Sequence, residues 1–193
     1  GIEDIGIMCM LPNMDVIAPA DPIETKTLLR KIVEKDGPSY LRLGKAREPV
    51  IHQTNIDLDI GKGIKLIEGS DVAIISTGCV LNIALKSAKA LLQKGISSDV
   101  ISMPSIKPID KDLILKSSFD KKLVITIEEH RSGGLGTYIS SILIESEFRG
   151  KFKSINVGEN IFKKAGSQDY LNEIHGISEL NLCQTVESLI KNE

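Results

Sequence analysis

The sequence predicts an α/β protein: an open, mostly parallel sheet covered by helices, preceded by a smaller, partial α/β segment. Three observations lead there. After Ser70, apolar runs of strand length alternate with stretches whose apolar residues recur at helical spacing, and such alternation packs helices on a parallel sheet. Before Pro49 the alternation occurs once, as strand, helix, strand. Between them, from Glu48 to Gly69, large apolar residues thin out around Gly61 and Gly63. That stretch reads as a connection holding one extended strand, Gly63 to Ile67. The expected division is 1–48, a linker at 49–70, and a domain at 71–193.

In the first segment, Ile5, Met8 and Cys9 give a short helical stripe that ends at Leu11-Pro12-Asn13. Met14 to Ala18 reads as a buried strand stopped by Pro19. Asp21-Pro22-Ile23-Glu24 is a helix start. Asp21 accepts N–H bonds as N-cap, Pro22 suits the first helical position, and Glu24 has capping-box spacing. Ile23, Leu28, Leu29, Ile32 and Val33 form the apolar face of this helix, Asp36-Gly37-Pro38 ends it, and Tyr40 to Leu43 is a strand. The two strands lack neighbours within this segment, and so small a piece buries little surface alone.

In the second part, Val72 to Ser76 is an apolar strand, and Leu81, Ala84, Leu85, Ala88, Leu91 and Leu92 keep helical spacing up to Gly95. Val100 to Met103 is a strand, and Asp110 caps a short helix through Leu115. Leu123 to Ile127 is the most apolar strand, followed by a helix from Gly133 to about Phe148. Phe152 to Val157 is a strand, and Ser178 caps a last helix carrying Leu182, Cys183, Val186, Leu189 and Ile190. About 120 residues suffice for such a domain to stand alone.

The composition excludes several functions. Net charge is -2, so no basic field attracts nucleic acid or an anionic membrane. No apolar run approaches the roughly 18 residues of a membrane span, and no signal peptide is visible. Cys9, Cys79 and Cys183 are widely spaced and odd in number, which suits a reducing cytoplasm better than a disulfide framework. The chain opens with Gly1 and enters an apolar pattern at once; it reads as part of something longer.

Four stretches together resemble the transketolase family, in order and over essentially the whole chain. IEDIGIMCMLPNM (Ile2 to Met14), then VIAPAD (Val16 to Asp21) and Glu24, resemble the end of that family's pyrimidine-binding domain. GPSYLRLGK (Gly37 to Lys45) resembles that domain's last strand and phosphate-contacting turn. GSDVAIISTG (Gly69 to Gly78) resembles the opening strand of the C-terminal domain. IKPID (Ile106 to Asp110), ITIEEH (Ile125 to His130) and GGLG (Gly133 to Gly136) complete the set. The nearest likeness is to the C-terminal subunit of transketolases split into two chains. Deoxyxylulose-phosphate synthase and 2-oxo-acid dehydrogenase β subunits are similar but fit the turn at Leu43-Gly44-Lys45 less well.

The resemblance implies a role as well as an architecture. Residues 1–48 become the tail of a pyrimidine-binding domain, 49–70 the linker, and 71–193 a transketolase-type C-terminal domain. The intact enzyme would move a two-carbon ketol unit between sugar phosphates, using thiamine diphosphate and Mg2+, whose thiazolium carries the chemistry. The diphosphate motif, the activating glutamate and the catalytic histidines would all precede residue 1. No catalytic, cofactor-binding or metal residue is therefore expected in this chain, which by itself would be inactive and would need an N-terminal section or subunit. A homodimer is expected.

Lys45 is the candidate substrate-phosphate residue: the family usually has arginine there, and lysine binds phosphate as a point charge without the planar fork. Its alternative is a solvated lysine in a turn. Arg42, three residues earlier and of opposite strand parity, reads as structural. Cys9 reads as packing. Glu128-Glu129-His130 follows the central strand, where ligands sit in open α/β sheets, but its glutamates read as fixing the loop before the next helix. Gly133 to Gly136 is half a dinucleotide fingerprint and reads as close helix packing. His52 and His175 have no partner at metal-ligand spacing and read as surface or turn residues.

Two rival readings remain open. The domain could be a non-catalytic assembly module of a related thiamine-diphosphate enzyme, stabilising a dimer or docking a partner. A free nucleotide-binding module rests on the glycines near 133 alone.

Overall fold

The computed structural model describes residues 1–45, 48–53, 56–158 and 165–191. Positions 54–55 of the expected linker lie outside the described residues.

The first part holds α1 (Asp4–Met10), β1 (Asp15–Ile17), α2 (Pro22–Glu34) and β2 (Ser39–Leu41). β1 and β2 run parallel, with Val16 opposite Tyr40. Asp21 caps α2 as its sequence predicts, its carboxylate accepting the amides of Ile23 and Glu24. Glu24 departs from the capping box: it accepts the amide of Ala20, one residue before the cap, and the hydroxyl of Ser102.

The rest comprises β3 (Ile64–Ile67), β4 (Val72–Ser76), a 3-10 turn (Gly78–Val80), α3 (Leu81–Gln93), β5 (Ser98–Ser102) and β6 (Ser105–Lys107). Then follow α4 (Lys111–Ser118), β7 (Leu123–Ile127), α5 (Leu135–Ile144), β8 (Lys151–Ile155), α6 (Gln168–Ile174) and α7 (Glu179–Ile190). The five-stranded sheet has the order β3-β5-β4-β7-β8. Only β3 is antiparallel in it, so the sheet is mostly parallel, as expected.

Why the apolar runs are continuous is visible in β4. Val72 and Ile74 pack beneath α3 and α7, with Leu81, Ala84, Leu91, Leu182 and Val186. Ala73 and Ile75 face the other way, onto Ile114 of α4 and Leu135 and Ile139 of α5. A parallel strand covered by helices on both faces cannot alternate apolar with polar residues.

One expectation is corrected here. The sequence left both strands of the first segment without neighbours, yet β6 leaves the second part and pairs antiparallel with β1, giving a three-stranded sheet β2-β1-β6. Val16 is thus flanked by Tyr40 on one side and Lys107 on the other. Around it, Ile5, Cys9, Ala18 and Ile106 form one small core, while Ile17, Leu28 and Leu58 form another. The two parts share a sheet, and Lys107 Nζ further donates to the carbonyls of Cys9 at 2.9 Å and Leu11 at 2.5 Å.

Candidate functional site

Strand ends of both sheets converge on a cleft of about 380 Å³. The chain after β4 reaches it through Thr77, Gly78 and Cys79, the chain after β7 through Glu129, and the chain after β2 through Arg42 to Lys45. α6 and the residue following it supply Gln168, Asn172 and His175. Chain order reverses between β4 and β7: β5 lies on one side of β4 and β7 on the other. The crevice outside the carboxyl ends of strands at such a reversal is the usual ligand position in open α/β sheets, and the volume suits a small molecule.

The junction is tied by backbone. Gly78 has φ +66°, a conformation glycine adopts at no steric cost, and its amide donates to Ala18 O at 3.0 Å. The Thr77 hydroxyl donates to the same carbonyl at 3.2 Å. Arg42 N donates to Ile17 O at 2.8 Å, carrying β2 on toward the cleft.

Lys45 lies exposed on the cleft rim. Arg42 shares the wall and is firmly held. Its Nε sits 3.3 Å from Asp4 Oδ2, and its Nη2 donates to Gly1 O at 3.1 Å. Tyr40 donates to the same Asp4 oxygen at 2.6 Å, and that bond, followed by burial, raises the phenol above its ordinary pKa. The structural role read for Arg42 is present in these contacts, and its place in the cleft adds a second cation beside Lys45.

Glu129 is clasped rather than free. It accepts Gln168 Nε2 at 2.7 and 2.9 Å and Asn172 Nδ2 at 2.5 Å, bracing α6 over the cleft. Its neighbour Glu128 turns inward: Oε2 accepts Leu135 N at 2.8 Å and Oε1 accepts Gly136 N at 2.7 Å, capping α5. Burial pushes Glu128 up to about 7 against the pull of those two amides. His130 is fully buried. Its Nε2 accepts Gly6 N at 3.2 Å, and Nδ1 lies 2.7 Å from Arg131 O, the pattern of a neutral ring protonated at Nδ1. Burial lowers its pKa accordingly. Of the two glutamates read as fixing the loop before α5, Glu128 does so, while Glu129 braces α6 and shapes the cleft.

Of the glycines near 133, Gly134 and Gly136 are packing glycines. A Cβ at Gly134 would collide with the Glu128 carboxylate, and one at Gly136 with Ser154 and Thr126. Cys9 is buried, its thiol raised by desolvation. Cys79 lines the cleft, and burial, then a bond with Glu48, pushes it up to about 12. That shift favours the protonated thiol over the thiolate, the nucleophilic form.

His52 differs from expectation, whereas His175 lies in the turn after α6 as its sequence suggested. His52 is buried, with Nδ1 3.3 Å from Asp21 Oδ2 and Nε2 3.8 Å from Glu24 Oε1. His175 is half-buried at the cleft. Cys79, Glu129 and His175 were missed as a group because they come from three separate loops; the end of β7 was the one usable clue. Among the described residues, no three His, Cys, Asp or Glu side chains converge as a metal-binding group. Nor, among the described residues, is any helix long and apolar enough to cross a membrane.

Comparison with known proteins aligns with this architecture. The profile of "Transketolase, C-terminal domain" matches residues 61–179, and that of "Transketolase, pyrimidine binding domain" matches 1–49. A Methanocaldococcus jannaschii protein named "Putative transketolase C-terminal section" is 34% identical over 99% of this chain and 60% of its own length. A 1-deoxy-D-xylulose-5-phosphate synthase of Dehalococcoides mccartyi is 33% identical over 100% of this chain and 31% of its own. A solved structure titled "Split gene transketolase, inactive beta4 tetramer" superposes with TM-score 0.89 and 34% identity, covering 99% of this chain and 62% of that one. The chain thus spans about three fifths, or less, of the proteins it matches.

Proposed function

The chain belongs to the transketolase family, and from that premise we propose that it serves as the C-terminal section of a thiamine-diphosphate-dependent transketolase. In this reading an N-terminal section or subunit joins it, and the assembly moves a two-carbon ketol unit between sugar phosphates. The observation that carries the reading is the unbroken likeness over 99% of the chain to a split-gene transketolase. In that arrangement residues 1–48 are the tail of the pyrimidine-binding domain, 49–70 the linker, and 71–193 the C-terminal domain.

Thiamine diphosphate, with Mg2+, supplies the carbanion chemistry when bound. The groups described here do not suit its metal-diphosphate end: Glu129 is occupied by two amides, Glu128 caps a helix, and Asp21 is saturated by backbone amides. The N-terminal section would hold that end, and the present chain alone would be inactive. Its own contribution would be to the substrate. Lys45, on the rim beside the fixed Arg42 guanidinium, would meet the sugar phosphate as a point charge. The three free thiols support a reducing, cytoplasmic setting. Self-association of assembled pairs into a homodimer completes the proposal.

A ketol-transfer assay tests it. The chain is mixed with its N-terminal section, thiamine diphosphate and Mg2+, and activity is expected in the mixture and in neither part alone. Turnover by the chain alone would refute the division of labour. A mixture that stays inactive would favour an assembly domain of a related thiamine-diphosphate enzyme.

A further inference from the structure

Asp21, Glu24 and His52 form a buried titratable cluster with no part in the proposed reaction. Their exposures are 2%, 0% and 7%. Asp21 and Glu24 open α2, His52 comes from the connection, and Ser102 closes the group from β5. Asp21 Oδ1 accepts the amides of Ile23 at 3.0 Å and Glu24 at 2.8 Å. Its Oδ2 accepts the amides of Ile51 and His52, both at 2.9 Å, and faces His52 Nδ1 at 3.3 Å. Glu24 Oε1 accepts the Ser102 hydroxyl at 2.6 Å, and Oε2 accepts Ala20 N at 2.7 Å. His52 Nε2 stands 3.8 Å from Glu24 Oε1 without a hydrogen-bond partner.

The charge count of this cluster depends on one proton. Burial opposes the charge on Asp21, but the amides of Glu24, His52 and Ile51 outweigh it and hold that carboxyl below its usual value. If Glu24 ionises as well, two carboxylates share a space closed to water, which is costly unless compensated. A proton on Glu24 removes the clash, and the unpartnered His52 Nε2 stands 3.8 Å from Glu24 Oε1. Burial, reinforced by Asp21, raises Glu24, while Ser102, Ala20 and His52 pull the other way. The charged groups facing Glu24 are Asp21 on its own helix and His52 from the connection; β5 adds the Ser102 hydroxyl.

We propose that this cluster is a proton-linked latch. Protonated, it holds residues 48–53 against α2, and with them Glu48, the partner of cleft residue Cys79; as the proton leaves at higher pH, the latch loosens. The inference stands on the buried geometry and not on the identity of the reaction. Its sign follows from linkage. In the opened form Glu24 titrates as an ordinary carboxyl, so between the ordinary and the raised value each opening releases a proton. The opening constant then rises about tenfold per pH unit across that window and levels off above it.

Hydrogen exchange on the full chain reads this at the amides of Ile51 and His52, once the intrinsic chemical rate is divided out. The wild type is expected to show the rise, and Glu24→Gln, which cannot ionise, to be flat. Ser102→Ala removes a donor that favours the ionised form and should extend the upper edge of the window to higher pH. A flat wild-type profile, or a slope that survives in Glu24→Gln, overturns the latch. Should Glu24→Gln fail to fold, Ser102→Ala decides, and an unchanged window overturns the proposal.

Discussion

The five-stranded sheet and the three-stranded sheet are built from similar residues but depend on each other unequally. In the larger one, β4 is buried along its whole length, paired on both sides, and covered by α3 and α7 on one face and α4 and α5 on the other. In the smaller one, β1 is equally buried, yet one of its two neighbours, β6, comes from the other part of the chain. A short buried strand is stable only if something pairs with it. The difference teaches that the cleft between the sheets is set by the second part of the chain, which builds the larger sheet and also supplies β6, the strand that completes the smaller one.

Cutting the chain gives the largest contrast. A fragment of residues 61–193 keeps every strand of the five-stranded sheet and should melt cooperatively, whereas residues 1–60, deprived of β6, should show no transition by circular dichroism. A cooperative melt of 1–60 alone would break the asymmetry. Next in size is a matched pair of core truncations. Ile74→Ala and Ile17→Ala remove the same atoms from fully buried sites, and each should cost about 2–5 kcal/mol in denaturant unfolding. Because Ile17 has the smaller cluster, with Leu28 and Leu58, its cost should fall at the lower end. Two separate transitions in Ile17→Ala would mean that the sheets unfold independently.

Lys45 sharpens the comparison at the cleft. In the assembled enzyme, Lys45→Ala should raise KM for phosphorylated ketoses about 10- to 150-fold, the value of a charge-assisted hydrogen bond of roughly 1.5–3 kcal/mol. Unphosphorylated donors should be much less affected, and equal losses for both would make Lys45 structural. The smallest expected effect is a pH slope. Glu128 has a folded value of about 7, above that of an ordinary carboxyl. The folded state therefore holds a proton that the unfolded state has already lost. Its contribution is fully present at low pH and disappears as pH rises through about 7. Thermal midpoints measured between pH 4.5 and 8 should fall less steeply in Glu128→Gln than in the wild type.

Legibility in the sequence followed the same asymmetry. Strands β4 and β7 are unbroken apolar runs, and α3 repeats its apolar residues at helical spacing, so the larger sheet was readable element by element. β6 was not: Ser105-Ile106-Lys107 is three residues, polar at both ends, and only its partner makes it a strand. α6 was missed because it buries no residue completely. At the cleft, Lys45 was singled out through likeness to a family turn and not through spacing. Cys79, Glu129 and His175 meet only when three loops fold together. His52 looked solitary because its acidic partners, Asp21 and Glu24, lie on another element, with His52 bonding Asp21 across 31 positions.

The central claim is that this chain shapes the substrate end of a transketolase while another section grips the cofactor. Isothermal calorimetry of thiamine diphosphate with Mg2+, titrated into the chain alone, tests that most directly. The account predicts no binding heat from the chain by itself and saturable binding once the N-terminal section is added; a micromolar Kd for the chain alone would contradict it.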